Sequence, residues 1–225
     1  MARKKILFVI VEGPSDQQAL SALISRIFSD ASVYVHIVHG DITSQLGVTP
    51  ANVLKRLGDV INHYLRSNHF HKSDLLRIVH ITDTDGAFIP DEAVVCDSRA
   101  AHALYSEDCI RTRDEDSIRK RNARKSANLR KLYGISELAG APYSIFYMSC
   151  NLDHVLYDKQ NSSDREKEDD SYRFAIRYRN DLPSFISFME DSPFAVTVSY
   201  PDSWDYIEQD LNSLQRHSNL CLLFE

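Results

Sequence analysis

Carboxylates follow two strongly apolar stretches of this 225-residue chain, at the point where each stretch ends. The run "ILFVIV" stops at Glu12, and "LLRIVHIT" stops at Asp83, with Asp85 two residues later. Short apolar runs of this kind are typical of strands buried on both faces of a parallel sheet. Ligands bind beyond the carboxyl ends of such strands. We therefore expect these three side chains to share one edge of a sheet.

Two further acids extend this group. Asp16 comes one helical turn after Glu12, and Asp153 comes just after a later apolar stretch. Like charges held together destabilise a fold, and a divalent cation with a preference for oxygen ligands removes that cost. Taken singly, Asp16 and Asp153 are explained as first-turn acids and Asp85 as a turn residue. Their recurrence after successive strands favours a shared site for one or two Mg²⁺ or Mn²⁺ ions.

The elements that must position these acids alternate between strand and helix. Such alternation predicts right-handed βαβ units and an α/β fold. Polar residues then predict a helical, basic insertion and, later, a solvated loop before a mixed C-terminal extension. Ser15 and Thr49 are the predicted N-caps of the first two helices. The predicted strands are 5–11, 32–40, 75–86 and 141–150, and the predicted helices are 14–28 and 49–68. The insertion covers about residues 91–140, and the solvated loop covers 159–171. We expect two units, a Toprim-like domain at 1–158 and a C-terminal extension at 159–225.

The stretch "VIVEGPSD", followed by "ITDTDG", resembles the Toprim domain, and "EGPSD" resembles the OLD-type and related small Toprim nucleases more than the other Toprim proteins. "SCNLDHVL" takes the place of a later acidic motif of those nucleases. The resemblance covers about residues 5–158 and implies a Toprim-like, Rossmann-like, mainly parallel sheet flanked by helices. It implies that Glu12 is a metal ligand or proton-transfer group and that Asp83 and Asp85 are a metal-binding pair. Asp16 and Asp153 resemble the ligands of a second ion.

The function implied by this resemblance is metal-dependent hydrolysis of phosphodiester bonds in DNA or RNA, within a multiprotein defence or repair system. The chain has no phosphate-binding loop of the Walker type, so a separate ATPase or other protein is an expected partner. Two alternatives stay open. One is a non-catalytic Toprim-like subunit that binds or senses within a larger complex, and the other is a nucleotide-sugar transferase with a metal-binding Asp-x-Asp. The sequence also leaves open whether the chain forms a homo-oligomer.

The net charge of −6 means that any binding of nucleic acid needs a local basic patch. Residues 119–131, "RKRNARKSANLRK", hold seven Lys or Arg and no acid. These cations predict contacts with the phosphate backbone, and the alternative is a solvated helix face. The apolar N-terminal run is too short for a signal peptide or a membrane span, which predicts a cytoplasmic protein. The residues predicted to bind nucleic acid are Arg119, Lys120, Arg121, Arg124 and Lys125.

Overall fold

A mixed five-stranded sheet is the centre of the fold. The computed structural model describes residues 5–29, 32–37 and 41–224. Strands β2, β1, β3 and β8 are parallel neighbours in that order, β7 pairs antiparallel with β8 at the edge, and β4, β6 and β5 form a separate small sheet. The predicted α/β class is confirmed. Within the described ranges the strands are β1 (Ile6–Val11), β2 (Ser32–Ile37), β3 (Leu75–Asp83), β4 (Val94–Cys96), β5 (Leu104–Tyr105), β6 (Ile110–Thr112), β7 (Glu137–Leu138) and β8 (Ala141–Met148).

Helices cover both faces of the central sheet. Helices α1, α4, α5 and α6 pack on one face, and α2, α3 and α7 pack on the other. Within the described ranges, none of them combines the length and apolar character needed to cross a membrane. The helices are α1 (Pro14–Ile27), α2 (Val53–Ser67), α3 (Glu115–Tyr133), α4 (Leu152–Tyr157), α5 (Asp164–Tyr178), α6 (Leu182–Asp191) and α7 (Tyr200–Ile207).

Strand β1 lies in the middle of the core and is buried along its whole length. Alternate side chains enter opposite layers, so that Leu7 packs toward α1 while Phe8 packs toward α2. Burial of each such side chain contributes about 1.5–3 kcal/mol. Phe174 and Phe185, from the C-terminal extension, belong to the same core layer as Leu7. The strand is therefore fixed firmly, and so is the position of the residue that follows its last apolar side chain.

The prediction that 91–140 is helical is wrong for its first half. Residues 94–112 contain the small sheet, and α3 begins only at Glu115. Val94 and Ile110 pack with Leu214 in a small core of their own. These strands have only two or three residues, so their alternation is too short to stand out against the surrounding polar sequence.

The first helix is capped differently from the prediction. Gly13 rather than Ser15 is the N-cap of α1. The carboxylate of Asp16 accepts hydrogen bonds from the backbone N–H groups of Gly13, at 2.9 Å, and of Glu12, at 3.2 Å. Asp16 thus satisfies the amide of the N-cap residue and the amide of the residue before it.

Two other boundaries also differ. Helix α2 begins after Asn52, whose side chain accepts from the backbone N–H of Thr49 at 3.0 Å, so Thr49 is not the N-cap. Most of the predicted loop 159–171 is helical, because α5 begins at Asp164. Ser163 and Glu166 form a capping box there, which is a sequence signal for the start of a helix within this charged stretch. Of the predicted strand 32–40, residues 32–37 form β2, and residues 38–40 lie outside the described residues.

Candidate metal centre

Glu12 and Asp83 lie at the same edge of the sheet, where the parallel strands β1 and β3 end. One carboxylate oxygen of Glu12, Oε1, accepts from the Thr82 hydroxyl at 2.7 Å and from the Asp83 backbone N–H at 3.0 Å. These two bonds cross from β1 to β3 and hold the Glu12 side chain over the strand ends. The carboxylate at the tip of a buried strand is therefore positioned by the neighbouring strand.

A buried lysine from α3 lies among the acids at this edge. The Lys125 ammonium Nζ is 2.6 Å from Oδ2 of Asp41, 2.6 Å from Oδ2 of Asp85 and 3.7 Å from Oε1 of Glu12. Its side chain is 0% exposed. Burial alone would lower the pKa of Lys125, but the three carboxylates raise it well above its ordinary value. The lysine is therefore charged, and its ammonium lies between the carboxylates, where a metal ion would also bind.

The carboxylates around Lys125 differ strongly in proton affinity. Burial, followed by the charge of Asp41, raises the pKa of Glu12 to about 8, although Lys125 acts in the opposite direction. Burial would also raise the pKa of Asp41, but the charge and hydrogen bond of Lys125 outweigh it and lower that pKa to about 2. Asp41 is thus the anionic partner of Lys125, while Glu12 retains a proton at neutral pH. The site holds more carboxylates than the lysine can neutralise.

Three of these carboxylates are close enough to share one ion. Glu12, Asp41 and Asp85 each offer an oxygen, and these oxygens all lie within 4.8 Å of one another. Oxygens bound to one Mg²⁺ or Ca²⁺ at about 2.0–2.6 Å are separated by up to about 5 Å. Carboxylate oxygens are also the ligands that hard cations prefer. We call these three residues the acidic triad, and its donor set fits a divalent cation.

Asp85 is held in the triad by an unusual turn. Asp85 and Gly86 both have positive φ, at 50° and 67°, a backbone region that glycine adopts freely and aspartate more readily than most residues. The backbone N–H of Asp85 donates to the Cys150 carbonyl at 2.8 Å, and the Arg121 guanidinium donates to the Asp85 carbonyl at 2.7 Å. A Cβ on Gly86 would lie 2.6 Å from Leu214, so the turn needs glycine for space as well as for conformation.

Asp41 is held by its own loop and by α3. Its carboxylate accepts from the backbone N–H of Thr43 at 2.8 Å. From α3, Arg124 donates to the Ser44 carbonyl at 2.8 Å, and the Asn128 amide donates to the Thr43 carbonyl at 2.7 Å. Asn128 lies four residues after Arg124 and three after Lys125, so the three side chains lie on one side of the helix. One face of α3 therefore supplies the central cation and also fixes the loop that carries a triad member.

Asp83 lies beside the triad without joining it. Its Oδ1 accepts from the backbone N–H of Leu152 at 2.9 Å, at the start of α4. Burial, followed by the charges of Glu12 and Asp16, raises the pKa of Asp83 well above its ordinary value. Asp83 therefore links β3 to α4, and Asp85 is the member of the predicted Asp-x-Asp pair that enters the triad.

Asp16 and Asp153 lie outside the triad, next to a different lysine. The carboxylate of Asp16 caps α1, as described above. Oδ2 of Asp153 is 3.7 Å from Nζ of Lys167, and Oδ1 of Asp153 is buried without a hydrogen-bond partner. Burial raises the pKa of Asp153 to about 6, an effect that Lys167 partly offsets. The predicted five-acid cluster is thus divided between two neighbouring groups.

The basic stretch faces inward to a large extent. Besides Lys125, Arg121 and Arg124, which hold the triad and its loops, Arg119 donates to the Val94 carbonyl at 3.2 Å and to the Glu115 carboxylate at 3.1 Å. Of the five residues predicted to contact phosphate, Lys120 is the one whose side chain is exposed. Nucleic-acid contact by these residues stays a prediction, and their visible role is to join α3 to the site.

Sequence reasoning missed Asp41 and the central position of Lys125. Asp41 directly follows the predicted strand 32–40. The rule that ligands bind beyond the carboxyl ends of parallel strands, which we call the strand-end rule, identified Glu12 and would also have identified Asp41. Lys125 gave no comparable signal, because it stands in a run of cations that resembles a solvated helix face.

No protein-family profile matches the chain, and neither the curated proteins nor the solved structures contain a significant match. The interpretation of the acidic triad therefore depends on its own geometry.

Proposed function

We propose that the acidic triad binds a Mg²⁺ or Mn²⁺ ion and that the chain is a metal-dependent phosphodiesterase of the Toprim type, acting on nucleic acid. The observation that carries the proposal is the approach of three carboxylate oxygens to within 4.8 Å at the carboxyl edge of parallel strands. This is the edge at which open α/β sheets bind their ligands. A cluster of carboxylates at such an edge destabilises the fold unless cations balance its charge.

The residues of the site have distinct parts in this proposal. A bound divalent ion would supply a polarised phosphate oxygen and a water of lowered pKa. Glu12, Asp41 and Asp85 would hold it, and Arg121 and Gly86 keep the Asp85 turn in place. Lys125 balances part of the charge of the triad in the ion-free protein, and it must move away from the carboxylates or share them when a cation enters.

Support for nucleic acid as the substrate comes from the resemblance of "VIVEGPSD" and "ITDTDG" to Toprim nucleases. The structure adds that the first motif and the second meet through the bonds from Thr82 and Asp83 to Glu12. Lys120, an exposed member of the basic stretch, is available for a phosphate. DNA and RNA are both compatible with these features.

The test is cleavage of labelled single-stranded and double-stranded DNA and of RNA, in Mg²⁺ and in Mn²⁺. We expect the wild type to cut at least one substrate and Glu12→Gln to lose that activity, because the amide keeps the size of the side chain but cannot release a proton to become an anionic metal ligand. Glu190→Gln, on the exposed surface of α6, is the matched control and should cut normally. Metal-dependent cleavage that survives in Glu12→Gln would contradict the catalytic assignment.

A second candidate is a Toprim-like subunit that binds or senses without catalysis. The contacts of Lys125 favour it, since an internal ammonium already balances part of the charge of the triad. This candidate predicts that the purified wild type binds nucleic acid in Mn²⁺ but cuts none of the substrates, whether or not a partner ATPase is added. Cleavage by the wild type alone would exclude it.

A further inference from the structure

A second polar site lies at the opposite end of the sheet, around Arg77. Arg77 is the third residue of β3, and Asp83 is the last. Six residues of strand span about 20 Å, so the Arg77 side chain is far from the acidic triad. The register of β3 and β8 places Val79 opposite Ser144, and Arg77 donates from Nη2 to the Ser144 hydroxyl at 3.0 Å.

Arg77 lines an open cavity of about 390 Å³. Its polar wall includes Ser144 and Thr197, and its apolar wall includes Phe146, Val198 and Leu222. Cavities of about 300–1,000 Å³ with a few converging polar groups are the usual form of small-molecule sites. The outer part of the cavity is open to solvent, because Thr197 and Val198 are exposed.

The charge of Arg77 has no carboxylate partner in the part of the chain that the structure describes. Its hydrogen bond there is the one to Ser144, and the electrostatic influences on it are burial and the phenol of Tyr200. Burial lowers the pKa of Arg77, as expected for a half-buried cation without a counter-ion. A guanidinium has five N–H donors, and a buried charge is usually paired. The missing partner of Arg77 must therefore come from outside these residues.

We propose that the Arg77 cavity binds a phosphate group, either as the free ion or as part of a small phosphorylated molecule. The guanidinium has donors to spare, and the hydroxyls of Ser144 and Thr197 can donate beside it. Several donors directed into one cavity suit a tetrahedral oxyanion, and arginine is the side chain best suited to paired bonds with phosphate. The apolar wall leaves room for an organic group attached to that phosphate.

Two other hydroxyls of the cavity are already used. The phenol of Tyr200 donates to the Ile145 carbonyl at 2.9 Å, and the hydroxyl of Ser199 donates to Asp202 at 2.6 Å. Specificity for phosphate is therefore assigned to Arg77, Ser144 and Thr197. The phosphate site is independent of the acidic triad, so evidence against phosphate binding would not contradict the proposed phosphodiesterase activity.

The test is thermal unfolding in EDTA, which keeps divalent ions from the triad. Inorganic phosphate and adenosine monophosphate are the probes, and sodium chloride of equal ionic strength is the reference. We expect the wild-type Tm to rise by roughly 3–6 °C at ten times the Kd. Arg77→Met should lose this rise, while Arg165→Met, whose side chain is 92% exposed on α5, should keep it. At equal concentrations of the two probes, a larger rise with adenosine monophosphate identifies a phosphorylated molecule as ligand, and an equal rise identifies the phosphate ion.

The behaviour of the variants without phosphate separates binding from a structural role. Because Arg77 is a half-buried charge without a counter-ion, Arg77→Met should be at least as stable as the wild type in phosphate-free buffer. Thr197→Val, an exposed position, should fold normally and bind phosphate roughly tenfold more weakly through the loss of one hydrogen bond. A wild-type Tm that does not respond to either probe, or an equal response in Arg77→Met, would overturn the proposal.

Discussion

Two cations at opposite ends of the central sheet, the buried Lys125 of α3 and the half-buried Arg77 of β3, have opposite surroundings. Lys125, at the carboxyl edge, has three carboxylates within 4 Å, whereas Arg77, near the other edge, has none in the described part of the chain. At Lys125 the protein supplies the counter-charge, so an external cation must compete with an internal one. At Arg77 none of the described residues supplies a counter-charge. The contrast between Lys125 and Arg77 shows that a charge removed from solvent indicates a ligand of opposite sign only where the fold leaves that charge unpaired.

The largest effect is expected from Lys125→Met, which removes the cation and leaves the acids together. Loss of one partner from a buried ion pair typically destabilises by about 3–5 kcal/mol. Urea unfolding in EDTA measures this loss, and Mn²⁺ should restore more stability to the variant than it adds to the wild type. Lys120→Met on the same helix is exposed and should change stability by at most about 0.5 kcal/mol. A Lys125→Met protein as stable as the wild type would contradict the conclusion that Lys125 stabilises the acidic triad in the ion-free protein.

Glu12 predicts a pH dependence of the ion-free protein. The unfolded chain loses the Glu12 proton near the ordinary pKa of 4.5, while the folded protein keeps it up to about pH 8. Over this window the unfolded state binds fewer protons, so Glu12 makes wild-type stability fall as pH rises. Glu12→Gln removes that contribution. The variant should match the wild type near pH 4 and be more stable at pH 8 by roughly 2–4 kcal/mol in EDTA.

The control for this pH effect is Glu190→Gln, which is exposed and should follow the wild type at every pH. Unfolding curves of the three proteins at four or five pH values are sufficient. If the stability difference between Glu12→Gln and the wild type does not change with pH, the raised pKa of Glu12 is contradicted.

A smaller effect is expected at the turn that carries Asp85. Gly86→Ala forces a Cβ to within 2.6 Å of Leu214 at a φ of 67°, whereas at Gly47, with a φ of 80°, the nearest atom to a new Cβ is 3.9 Å away. Gly47→Ala should therefore cost about 1 kcal/mol from conformation alone, and Gly86→Ala about 2–3 kcal/mol. Gly86→Ala should also weaken Mn²⁺ binding. Equal losses for the two variants would show that the turn is not crowded.

The smallest effect is expected from Asp153→Asn. Asp153 is paired at 3.7 Å with a half-exposed lysine, Lys167, and lies outside the acidic triad. Its raised pKa of about 6 means that a neutral amide replaces a carboxylate that is already hard to ionise. We expect a stability change of less than about 1 kcal/mol at pH 7 and unchanged Mn²⁺ affinity at the triad. A large loss of Mn²⁺ affinity would join Asp153 to the metal centre, as the resemblance to OLD-type nucleases implies.

The parts of the fold that follow from strong local patterns were predictable. The apolar run before Glu12 and the run before Asp83 identify buried parallel strands, and their carboxyl ends meet as the strand-end rule requires. The sequence does not show which acids share a ligand, because that depends on side-chain direction within one turn. Asp16 turns back to cap its own helix, and Asp83 turns toward α4.

The inward direction of the basic stretch was also beyond local patterns. Residues 119–131 have few apolar side chains, so the helix gives no hydrophobic stripe that marks its buried face. What buries Lys125 is the acidic edge of the sheet, and a partner so distant in sequence is visible only in three dimensions. The small sheet at 94–112 was missed for the different reason that its strands are too short to show a period.

The most direct test of the metal centre is Mn²⁺ binding to the wild type and to Asp41→Asn, followed by electron paramagnetic resonance. Asp41 belongs to the triad by geometry alone, and its carboxylate lies 2.6 Å from Lys125. We predict a Mn²⁺ site in the wild type that Asp41→Asn weakens by at least about tenfold, or about 1.4 kcal/mol, and that Asp153→Asn leaves intact. Absence of a Mn²⁺ site in the wild type, or equal affinity in Asp41→Asn, would contradict the assignment of the acidic triad.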